Sequence, residues 1–162
     1  MRYVLIGALL AAVVLGAGCG HTVAPPATGS PPQALSRGAA GGPGIAWQTQ
    51  REQAFAAAQQ AKKPLMVKFF TTWCGYCKLM DKTTLREPQV VAAAKGFVAL
   101  RVDAEKDAAF AQRYGVTGYP TVVFLAPDGR ELGRVRGAVP ASPLLAEMSR
   151  AQGRFGSGGA SG

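Results

Sequence analysis

The chain is 162 residues long and strongly basic, with 18 Lys and Arg against 9 Asp and Glu, one His and a formal net charge of +9. The cations are scattered, with no aromatic-interleaved basic patch and no nucleic-acid motif, so they read as a solvated surface suited to anionic lipid or acidic proteins, not to nucleic acid. His21, the only histidine, lies far from Cys74 and Cys77 in a Gly- and Pro-rich stretch and no methionine-rich cluster accompanies the pair, so a closed zinc site there lacks ligands, and Lys78 after Cys77 excludes haem attachment through Cys-x-x-Cys-His.

In chain order, residues 1–18 have the form of an export signal. Arg2 is the positive start, residues 4–15 are an apolar stretch too short to span a bilayer comfortably, and Gly16, Ala17 and Gly18 precede Cys19. This resembles a bacterial lipoprotein signal, which implies that Cys19 is lipidated and becomes the mature N-terminus. Gly16 departs from that pattern, since an aliphatic residue is usual three places before the cysteine, and a cleaved soluble protein or an uncleaved anchor stay open. Gly20 is not Asp, which in a Gram-negative host resembles an outer-membrane sorting signal. Each outcome delivers the domain to a compartment where disulfides persist.

Residues 19–44 are rich in Gly, Pro and Ala with one charge, Arg37, and cannot bury enough apolar surface to fold. They read as a tether spanning roughly 25–30 Å. One domain is predicted over residues 45–152 and a disordered tail over 153–162. Within the domain a helix is expected over 50–63, with Ala54, Phe55 and Ala58 on one face, then a doubly buried strand over 64–71. Helices follow over 75–85 and 88–95, a strand over 97–103, and a helix over 107–114 closed by Gly115. A strand over 121–126, a turn at Pro127-Asp128-Gly129, a strand over 131–136 and a helix over 140–152 complete the order. The pattern calls for an α/β fold: parallel strands crossing over through helices, then a terminal antiparallel hairpin.

The chemistry sits at the first strand-to-helix junction, in Trp73-Cys74-Gly75-Tyr76-Cys77-Lys78. Cys74 falls at the helix start, where unpaired backbone N–H groups favour a thiolate, and Cys77 lies one turn beneath it. Such a pair can cycle between dithiol and disulfide. A static structural disulfide is the bland alternative, but closing so small a loop removes little chain entropy.

Together with the strand ending at Asp103, the run from Tyr114 to Thr121 and the Asp128-Gly129 hairpin, this motif resembles the thioredoxin-fold family over nearly the whole domain. Lys63-Pro64 ahead of the strand and residues 85–91 after the active-site helix are most similar to the C-terminal thioredoxin domain of the thiol reductase DsbD. Gly75-Tyr76 is similar to the dipeptide of the isomerase DsbC. The resemblance implies a central mixed sheet flanked by helices, a cis Pro120 facing the cysteines, Tyr119 offering backbone hydrogen bonds to a partner peptide, Trp73 as an apolar lid and Lys78 as an exposed cation. Two departures stand out. Tyr76 replaces the usual thioredoxin proline, and Lys68 occupies the place of the buried acid that serves the inner cysteine. Alternation puts Lys68 with Met66 and Phe70 on one strand face, so its amine must pair, with Asp103 or Glu105 as candidates, reach water, approach the sulfurs or lose its proton.

The expected function is an exported thiol-disulfide oxidoreductase, with Cys74 as nucleophile and Cys77 as resolving thiol, needing no metal or organic cofactor. Reduction is the expected direction, isomerisation or oxidation the alternative. The resemblance implies disulfide-containing exported proteins as substrates, an upstream DsbD-like thiol donor, a membrane reached through lipid, and a monomer. The rival from another class is a copper-binding dithiol module.

Overall fold

The computed structural model describes residues 44–158; the signal segment, Cys19 and most of the expected tether lie outside them. The elements are β1 (Trp47–Gln48), α1 (Arg51–Ala61), β2 (Leu65–Phe70), α2 (Gly75–Lys82), a 3₁₀ turn (Thr84–Arg86), α3 (Pro88–Ala94), β3 (Val98–Asp103), α4 (Ala108–Arg113), β4 (Thr121–Leu125), β5 (Glu131–Arg136) and α5 (Ala141–Gly158). They form a five-stranded mixed sheet in the order β1-β3-β2-β4-β5, with helices on both faces. This is the thioredoxin fold anticipated from the sequence.

The apolar run of β2 takes the central position because both of its faces are covered. Leu65, Val67 and Phe69 point into a cluster with Ala54 and Ala58 of α1 and Phe110 and Ala111 of α4. Met66 points the other way, into a cluster with Met80 of α2, Val90 of α3, and Leu144, Met148 and Ala151 of α5. The pleat therefore decides which helix each β2 side chain meets.

Three boundaries, each by more than a single residue, and one strand direction differ from expectation. Lys62 adopts a left-handed conformation (φ 50°), its N–H closes onto the Ala58 and Gln59 carbonyls, and α1 stops at Ala61 instead of running to residue 63. Helix α2 ends at Lys82, because Thr83 leaves the helical region and a 3₁₀ turn leads to Pro88 at the start of α3. Strand β4 already runs antiparallel to β2, so the reversal of direction comes one strand before the β4–β5 hairpin. The disordered tail expected from Gly153 is corrected by α5, which continues to Gly158. Arg154 anchors that extension by donating to the Leu132 carbonyl and to Glu147 at 3.3 Å, and Phe155 packs on the core. Gly133 of β5 makes room for this contact, since a Cβ there would lie 2.0 Å from Glu147 Oε1.

Candidate active site

The end of β2 delivers the chain to Thr71 and Thr72, and α2 begins at Gly75 with Cys74 as its cap. The Cys77 N–H donates to Cys74 Sγ at 3.0 Å. Cys74 and Cys77 are joined by a disulfide across a Cα–Cα distance of 5.3 Å, and both are buried, Cys77 the more deeply. Gly75 is exposed and a Cβ there would meet nothing within 4 Å, so packing does not demand glycine between the cysteines.

Three large side chains stand in solvent around the pair: Trp73, Tyr76 and Leu79, with Trp73 68 % exposed. Trp73 is held at its edge, where Nε1 donates to Glu105 Oε1 at 3.0 Å, while Glu105 Oε2 accepts from Thr72 Oγ1 at 3.2 Å. Its ring meets Tyr119 edge-on at 6.5 Å. Trp73, expected as an apolar lid over the site, thus has its edge fixed by Glu105 and its ring largely in solvent. The Tyr119–Pro120 peptide bond is cis and Pro120 is buried. Thr121, the next residue, pairs with Phe69 near the end of β2, which brings this loop to the same end of the sheet as the cysteines. Lys78 is exposed, as the resemblance implies.

Lys68 is fully buried, and its Nζ forms an ion pair with Asp81 and donates to the Cys77 carbonyl at 3.4 Å. Neither acid expected as its partner is engaged with it. Glu105 holds Trp73, while Asp103 accepts from the Glu105 N–H at 3.1 Å. Burial pushes the Lys68 pKa below its ordinary value, and the hydrogen bond and charge of Asp81 oppose that shift. Asp81 is the partner of Lys68 that reading the sequence missed. It lies four residues beyond Cys77, one helical turn along the same inward face, and that spacing was the available signal. Arg101, the register partner of Lys68 on β3, donates to the other oxygen of Asp81 at 3.1 Å. Among the described residues no group of three His, Cys, Asp or Glu side chains is placed to hold a metal ion.

A disulfide-forming Cys-x-x-Cys at the N-terminus of α2, on a mixed sheet of this order and beside a cis-proline loop, defines a thiol-disulfide oxidoreductase of thioredoxin type. The chain belongs to the thioredoxin-like domain family, whose profile matches residues 51–152. The thiol:disulfide interchange protein DsbD of Vibrio vulnificus is 36% identical over 105 residues, which cover 61% of this chain and 18% of that protein. The chain thus spans about a fifth of the length of such curated relatives. Among solved structures, a thioredoxin from Thermus thermophilus superposes with a TM-score of 0.63 at 32% identity, covering 70% of this chain and 91% of that one. The oxidised C-terminal domain of Neisseria meningitidis DsbD gives a TM-score of 0.56 at 25% identity, covering 62% and 90% respectively.

Proposed function

We propose that this protein is exported, tethered to a bacterial envelope through lipid on Cys19, and reduces disulfides of exported proteins through its Cys-Gly-Tyr-Cys centre. The observation that carries the reading is the Cys77 amide aimed at the Cys74 sulfur at 3.0 Å, in the first turn of α2. That amide and the helix terminus favour negative charge on Cys74, which makes it the attacking thiolate.

The reaction is two successive displacements. The Cys74 thiolate bonds to one sulfur of the substrate disulfide and expels the other as a thiolate, leaving a mixed disulfide. Cys77, once deprotonated, bonds to Cys74 Sγ and releases the second substrate sulfur. Two electrons leave the protein dithiol, its two protons end on the substrate sulfurs, and the Cys74–Cys77 disulfide remains. Trp73, Tyr76 and Leu79 offer an apolar surface for an extended substrate segment, with the Tyr119 backbone and Pro120 across from them. An upstream dithiol protein of the DsbD kind restores the reduced state. Support for export and tethering comes from residues 1–18, Cys19 and the Gly- and Pro-rich stretch after it.

In cells, Cys77→Ser is expected to accumulate mixed disulfides through Cys74, resolved on non-reducing gels, and Cys74→Ser to accumulate none. Equal trapping by both variants would overturn the assignment. The same preparations report the mature N-terminus: a lipid-bearing Cys19 supports the tether, and any other N-terminus removes it.

A further inference from the structure

Beneath the active-site helix lies a small charged cluster with an excess of positive charge. Lys68, at 0% exposure, touches the backbone of the inner cysteine through the Cys77 carbonyl and pairs with Asp81. Asp81 also pairs with Arg101, whose guanidinium lies over the Phe70 ring at 4.8 Å. Two cations therefore share one carboxylate. The other acids at this end of the sheet, Asp103, Glu105 and Asp107, are turned to the Glu105 amide, Lys106, Thr72, Trp73, Arg51 and the Phe110 amide. They do not neutralise the excess.

Charge matters differently to the two states of the neighbouring sulfurs. The disulfide is neutral, whereas the reduced centre carries a thiolate on Cys74, and a cation held out of water acts on that thiolate with little screening. We infer that the Lys68–Asp81–Arg101 cluster sets the reduction potential of the Cys74–Cys77 pair, with the buried Lys68 ammonium making the pair more oxidising than a neutral residue at that position would. The inference rests on the redox reading of the pair given above. Asp81 is what keeps the amine protonated in spite of burial, and Arg101 keeps Asp81 from cancelling the cluster's charge altogether.

Equilibration with glutathione tests this directly, because two glutathione thiols and the protein disulfide exchange for one glutathione disulfide and two protein thiols. The equilibrium constant for reducing the full-length protein at neutral pH should fall about tenfold in Lys68→Met, which corresponds to about 30 mV toward negative potential. Arg101→Gln removes a more solvated cation and should shift the constant in the same direction by a smaller factor. The pH midpoint for alkylation of Cys74 should move upward in both variants, a readout that loss of packing alone would not produce. Arg101 is partly exposed, so its variant carries the sign of the effect even if Lys68→Met does not fold. An unchanged or increased constant in these variants would overturn the inference while leaving the oxidoreductase intact. A wild-type pair that does not exchange with glutathione at all would remove the redox reading, and the inference with it.

Discussion

The two faces of the sheet share the same strands and both bury apolar clusters, but only one of them also buries a charged side chain. Under α1 and α4 the filling is apolar and aromatic, with Phe69 0% exposed and its ring 5.5 Å from that of Phe110 and 6.5 Å from that of Tyr114. Under α2 the same strand buries Lys68, one residue away along the chain and therefore on the opposite face. The α1/α4 face contributes cohesion. The α2 face is apolar around Met66 and Met80 as well, but it also accepts the buried Lys68 beneath Cys77, where hydrophobic filling would be the more economical way to stabilise a core. The contrast teaches that adjacent residues of one strand can be given to stability and to chemistry separately.

The largest expected effect that would break this contrast lies on the apolar face. Phe69→Ala should cost about 3–5 kcal/mol of stability, measured by urea unfolding, because a large ring is deleted from a dry cluster that cannot fully collapse. The glutathione equilibrium of the molecules that remain folded should stay within twofold of wild type. A shift as large as that expected for Lys68→Met would mean that the two faces are not separable.

A smaller effect sharpens the contrast on the charged face. Asp81→Asn leaves the Lys68 amine buried with only a backbone carbonyl to receive it, at a cost of about 1–3 kcal/mol, moderated because the amine can shed its proton. Adding Lys68→Met to Asp81→Asn should return most of that loss, so the two substitutions should be far from additive in a four-protein unfolding cycle. Additive costs would mean that Lys68 and Asp81 are not energetically coupled.

The sequence made the site more legible than its support. An apolar run interrupted only by Lys68 and followed by two cysteines at helical spacing identifies both the central strand and the active-site helix, and alternation along 65–70 correctly sets Lys68 on Met66's side of the sheet. Its partner was harder to see because two acids, Asp103 and Glu105, follow directly at the end of a neighbouring strand. Choosing Asp81 required knowing that α2 packs on the Met66 face. Strand β1 went unseen because its two residues carry no period at all, and they are held by pairing with Ala99 and Leu100 of β3. The last turns of α5 contain Gly153, Gly156 and Gly158, which argue locally against a helix. They are helical with the help of a contact made far along the chain, from Arg154 to the Leu132 carbonyl 22 residues earlier, and of Phe155 packing on the core, neither of which the local sequence shows.

The smallest expected effect is a pH dependence confined to the charged face. Burial holds the Lys68 pKa below its ordinary 10.5, with Asp81 opposing the shift. Between the folded value and the unfolded one, the unfolded chain binds this proton and the folded chain does not, so the contribution of Lys68 to stability rises with pH through that window. Below it both states are protonated and the contribution is flat, at its least favourable level. Lys68→Met has no such proton to release. The stability of the wild type minus that of Lys68→Met, followed by urea unfolding from neutral pH toward 10.5, should therefore be level at first and then grow. Taking the difference removes the other alkaline titrations, including Tyr114, whose hydroxyl is pushed upward by burial and would lower the stability of both proteins alike as pH rises. A difference that falls with pH would mean that Asp81 outweighs burial and that the cation beneath Cys77 is held more tightly in the folded protein than in the unfolded chain.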